Sequence, residues 1–117
     1  MASKTEVLNA INDLFEAMIE DYTRWTNAYP GQSGEVAREQ IEVYKKGLGF
    51  DIGKKYIRIK SNGSAWGFVV LVDDDKKFRQ GDLLKAAGFV GPSKNRSRGN
   101  VLTKDFSWVQ WTGLASV

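Results

Sequence analysis

Lys94, Arg96 and Arg98 alternate along the stretch SKNRSRGNVL, residues 93–102, and no acidic residue stands between Asp82 and Asp105. Lys85 and Lys104 lie in the same acid-free interval, and Gly91, Pro92, Ser93, Asn95, Ser97 and Gly99 surround the cations with small residues. Small neighbours leave backbone N–H groups accessible, and arginine both pairs with phosphate and stacks on bases. The chemistry such a stretch offers is therefore binding of phosphate and single-stranded nucleic acid. The competing reading is an exposed loop whose charge only aids solubility.

Other chemistry is sparsely provided for. The chain has no Cys and no His, which removes disulfides, thiol nucleophiles, imidazole acid–base catalysis and nearly every zinc or transition-metal site. The run Asp73-Asp74-Asp75 offers hard oxygen ligands, but Lys76 and Lys77 follow at once and the run reads as a solvated turn. Phosphate-loop, dinucleotide and nucleophile-elbow patterns are absent, and no carboxylate, Lys or Tyr is convincingly paired. We expect no enzyme and no cofactor. Net charge is +3 over 117 residues, with 5 basic against 8 acidic residues in 1–47 and 12 against 6 in 48–117. The asymmetry points to an anionic partner for the second part. No apolar run is long enough to cross a bilayer, and Glu6, Asp13 and Glu16 make the N-terminus unlike a signal peptide. A soluble cytoplasmic protein is expected, without a membrane partner.

The elements that must position the basic stretch follow from periodicity. Val7, Leu8, Ile11, Leu14, Phe15, Met18, Ile19, Tyr22 and Trp25 recur at helical spacing, with Ser3 and Glu6 as a capping box or Thr5 as the cap. This helix should end between Asn27 and Tyr29, and a second should span roughly 34–47. From Phe50 the period becomes two. Ile57 and Ile59 oppose Tyr56, Arg58 and Lys60, and Asn62-Gly63 makes a hairpin turn. In the next strand Trp66, Phe68, Val70 and Val72 face one way and Val69 and Leu71 the other, both sides covered. Residues 78–90 allow a short helix capped by Asp82 or a strand after Gly81-Asp82, and we favour the strand. GNVLT and FSWVQWTGL supply two more. Trp66, Trp108 and Trp111 read as core or interface residues, and the aromatics on both faces of the last strand favour a subunit interface through edge pairing.

The result is one α+β domain, with a helical region at 1–49 packed on a small, strongly bent five-stranded antiparallel barrel at 50–117. Ser97-Arg98-Gly99-Asn100-Val101-Leu102 resembles the second Sm motif, where an Arg-Gly pair and an Asn or Asp turn into an apolar strand, and this resemblance implies a barrel of Sm-like, SH3-like type. In the first Sm motif an Asp is followed after two residues by a hydrophobic residue and a base-contacting Asn; the counterpart here is Asp75 to Phe78, with Arg79 in the Asn position. The stretch 81–101 also resembles small phage proteins, particularly of cyanophages, which would place the protein in a host cytoplasm. The Sm resemblance implies a homo-oligomeric ring of about five to seven subunits that binds single-stranded RNA. It implies that Arg98 brackets a base, that Gly99 allows the tight turn and that Asn100 fixes the loop, with Lys94, Arg96, Phe78, Arg79 and Lys85 alongside. The alternative is a phage structural or host-interaction module whose helices bind a protein and whose loop is only solvated.

Overall fold

The computed structural model describes residues 2–28 and 34–114. Helices α1 (Lys4–Asn27) and α2 (Gly34–Lys46) precede strands β1 (Leu48–Ile52), β2 (Tyr56–Ser61), β3 (Ser64–Val70) and β4 (Leu83–Lys85), and a short hairpin of β5 (Val109–Gln110) and β6 (Gly113–Leu114) closes the chain. The first four strands form an antiparallel sheet in the order β1-β2-β3-β4, and β5 pairs only with β6.

Ser3, not Thr5, caps α1: its Oγ accepts the Glu6 amide at 3.1 Å and the Glu6 carboxylate accepts the Ser3 amide. Val7, Ile11, Leu14 and Met18, spaced by four, three and four residues, are fully buried. They form one core with Ile57, Ile59, Val69, Leu83, Val101 and Leu114 from the sheet and its neighbours. A second, smaller core lies on the other face of the sheet, where Phe68, Val70 and Leu84 are covered by Phe78. β3 is thus buried on both sides, as its composition requires.

The chain does not close into a five-stranded barrel, and three local causes account for this. β1, which is not among the five expected strands, adds an edge beside β2 in register from Leu48↔Ser61 to Ile52↔Ile57. GNVLT is not a strand, because the Asn100 side-chain oxygen accepts the amides of Leu102 (2.8 Å) and Thr103 (3.1 Å) and turns the chain there. The expected last strand folds on itself as β5 and β6, with Trp111-Thr112 at the turn. The second face is therefore closed by the segment 71–80, not by a returning sheet.

The side assignment of β3 is also corrected. Ile59 pairs with Gly67 and Lys60 with Ala65, so Trp66 is an extra, bulged residue. It packs in the α1 core while Phe68 and Val70 face the other way, and its Nε1 donates to the Gln110 carbonyl at 2.8 Å.

Aromatic rings bind the helices to the β5–β6 hairpin. Tyr22 and Tyr44 stack at 4.4 Å, Trp111 meets both edge-on, and Trp25 lies 5.1 Å from Trp111. The Trp111 amide donates to Asp21 at 2.9 Å. This Trp is used within the chain. Burial among these rings pushes the Tyr44 hydroxyl up to about 12; a hydrogen bond with Ser61 pulls the other way, and the charge of Asp21 adds to the rise. A phenol held above its ordinary value of 10.0 favours the folded state fully below that pH, and the contribution is lost as pH climbs through 10 toward 12. We expect ultraviolet titration at the tyrosinate band to show one residue ionising about two units late, with urea stability falling over the same interval. Substituting Tyr44→Phe should abolish the late step and flatten the fall.

Candidate nucleic-acid interface

The basic stretch is built around a buried polar pair. Asp82 and Asn100 are each 3% exposed. The Asn100 amide nitrogen donates to Asp82 Oδ1 at 2.9 Å and to the Gln80 carbonyl at 3.0 Å, while Asp82 Oδ2 accepts the Arg79 amide at 2.8 Å. With the Leu102 and Thr103 amides on its oxygen, the Asn100 side chain uses both its ends, so nothing polar is stranded in the core. Gln80 extends the same network to the N-terminus through two hydrogen bonds with the Ala2 backbone.

Backbone bonds hold the cationic segment beside β4. Leu83 donates to the Gly99 carbonyl and accepts from the Arg98 amide, so Arg98 and Gly99 together oppose Leu83 as a bulge. Gly99 has φ 128°, and a Cβ there would overlap the Asp105 carbonyl oxygen. Glycine is obligatory at this position. Asn100 and Asp105 exchange backbone bonds on the far side, which completes the clamp.

The cations then divide. The Arg96 and Arg98 guanidiniums lie 5.5 and 5.9 Å from the ring centre of Trp108, a half-buried residue whose sequence context points only to core or interface. The chain bends at Asn95, and Lys94 instead lies 5.8 Å from the Tyr56 ring, on the second face of the sheet. There the Lys77 ammonium donates to the Lys94 carbonyl. Asp75 sits close by, its carboxyl held below the usual range by the amides of Phe78 and Lys77 and by the charges of Lys55 and Lys94. Asp75 thus serves as the acceptor of a turn within the acidic run.

The structure brings together Arg96, Arg98, Gly99 and Asn100, and Asn100 is a fixing residue buried beneath the loop. No protein-family profile, curated protein or solved structure matches this chain. The site rests on its geometry.

Phe78 is 7% exposed and fills the second core, so its ring is not presented to a base. Arg79 is exposed, with its amide on Asp82 and its guanidinium Nε 4.0 Å from the same carboxylate. Lys85 is exposed on β4 opposite Gly67. Tyr56, Lys77 and Trp108 were missed as site residues; the hint for the first two was a strand side chain and a turn cation that only folding places beside Lys94.

The backbone requirement separates two glycines of this segment. Gly99→Ala should cost at least about 2 kcal/mol in urea unfolding, from strain and the Asp105 overlap. Gly91→Ala, where a Cβ meets nothing within 4 Å, should change stability by less than about 1 kcal/mol.

Proposed function

We propose that this protein binds single-stranded RNA without catalysing a reaction, through Arg96, Arg98 and Trp108. The observation that carries the proposal is the pair of guanidiniums gathered on one indole, on a backbone that Asp82 and Asn100 make rigid. An aromatic face with two flanking cations can take a base against the ring and its phosphates against the guanidiniums. Kinship with Sm-like proteins rests on the Arg98-Gly99-Asn100 sequence and on Asn100 fixing the loop from within, whereas the apolar strand that the motif calls for is replaced here by a turn. The absence of Cys suits a reducing, cytoplasmic setting, including a host cytoplasm. Ring assembly by strand pairing would need two complementary edges on each subunit. Here the outer edge of β4 is already covered by the segment 97–101, so RNA binding is proposed for the loop without a pore.

A second reading is favoured by one observation. Between α1, α2 and the two hairpin turns lies a cavity of about 850 Å3 whose rim exposes Trp25, Val36 and Val43. An aromatic hollow with an apolar rim suits docking of a partner protein on the helices, and that module would retain no RNA.

The test is fluorescence anisotropy with a labelled single-stranded RNA at two salt concentrations. Arg96→Ala combined with Arg98→Ala should weaken binding by roughly tenfold or more and flatten the salt dependence by about two phosphate contacts. Trp108→Ala should remove about 1–3 kcal/mol of stacking at any salt. Wild-type and doubly substituted protein binding with equal affinity at matched salt would discard the RNA reading and leave the helix-docking one.

A further inference from the structure

We infer that two copies of this chain join along β1 as an antiparallel, two-fold symmetric pair, making one continuous eight-stranded sheet from two of four.

The backbone pattern supplies the donors and acceptors. Just beyond the two ends of the β1–β2 ladder, the Gly53 amide donates to Tyr56 and the Asn62 amide to Gly47, both at 2.9 Å. Antiparallel pairs alternate between bonded and non-bonded. With the register Leu48↔Ser61 through Ile52↔Ile57, Gly49 and Asp51 therefore spend their backbone groups on β2. Leu48, Phe50 and Ile52 turn theirs away from it. No described residue bonds to that outer side, and β1 is the edge of the sheet.

The side chains are self-complementary about Phe50. A two-fold axis through Phe50 sets Phe50 against Phe50 and Leu48 against Ile52 of the second copy, three pairs that each exchange two backbone bonds. Phe50 is 38% and Ile52 44% exposed, and both lie on the apolar, α1 side of the sheet, where the Phe15 ring is 6.4 Å from Phe50. On the opposite side the only charge of the strand, Asp51, faces Gly49 of the other copy. Asp51 is already neutralised by Arg58 at 3.0 Å and Lys60 at 3.2 Å, and these cations hold its carboxyl below the usual range. No like charges meet within the five-residue ladder. Edge strands left unpaired usually carry a Lys, a Pro or a bulge that blocks self-pairing, and β1 carries none of them.

Of the two outer edges of the four-stranded sheet only β1 is free, because the segments 91–93 and 97–101 cover β4, and the β5–β6 hairpin has only two residues in each strand to offer. One edge used by both partners gives a closed dimer and no further growth.

Size exclusion with light scattering reads the result. Wild type should show twice the chain mass through the micromolar range. Phe50→Lys, which sets two ammonium groups face to face at the axis, should raise the dimer dissociation constant by roughly tenfold or more. An equimolar mixture of Phe50→Lys and Phe50→Glu should recover a dimer. Circular dichroism establishes that each variant is folded. Should Phe50→Lys unfold, Ile52→Pro decides, since it removes an outward amide that β2 does not use. A monomeric wild type, a larger assembly, or a dimer indifferent to both substitutions would overturn the inference.

Discussion

The amide–carboxylate contact between Asn100 and Asp82 is the constraint on which the second half of the molecule depends. It joins two stretches eighteen residues apart at a point sealed from water, and both side chains also bond the backbone, Asn100 through its nitrogen and its oxygen and Asp82 through its second oxygen. In a low-dielectric interior such a network is strong when complete and costly when broken. It fixes the chain on both sides of the cationic segment: the turn at Arg79 before β4, and the turn at Leu102 after it. The arginines therefore project from a braced frame, although the segment that carries them has almost no regular secondary structure.

The two cores depend on each other through β3. α1, with Val101 and Leu114 from the C-terminal segments, covers one face of the sheet, and the other face is covered by Phe78, delivered by the turn that Asp75 organises. The Arg58 guanidinium spans this second face, holding the Phe89 carbonyl at 2.8 Å, packing on the Phe89 ring at 4.3 Å and bonding Asp51 of β1. Polar side chains thus link the irregular segments to the sheet edge where apolar area is scarce. No helix among the described residues is long and apolar enough to cross a membrane.

What could be read from the residues was local. The stripe from Val7 to Met18, the Ser3–Glu6 cap, the mirror-image turn at Asn62 (φ 52°) and Gly63 (φ 80°), and the strand after Asp82 all follow from spacing or from turn chemistry. Three features could not be read, each because a distant partner decides it. β1 carries Gly49 and Asp51 and has weak strand propensity of its own; β2 recruits it through Asp51, Arg58 and Lys60. GNVLT has a strand's composition, yet Asn100 spends its oxygen on turning the chain. The division of Lys94 from Arg96 and Arg98 depends on a bend whose two sides find different aromatic rings.

The extra residue at Trp66 carries a consequence for how this sequence can vary. On the turn side of the bulge an inward position belongs to the helix-covered core; beyond it the same parity belongs to the opposite core. The strand is two half-strands out of phase by one residue. A related chain one residue shorter on the turn side of Gly67 but keeping the Trp would send its indole where Phe68 and Val70 now point, into a space already filled by Phe78 and Leu84. Loss of the bulge would therefore have to be accompanied by a small residue at the Trp66 position and a replacement for its bond to Gln110. Length changes in β3 and the identity of residue 66 should travel together, whereas the neighbouring turn at Asn62-Gly63 answers only to its own positive φ angles.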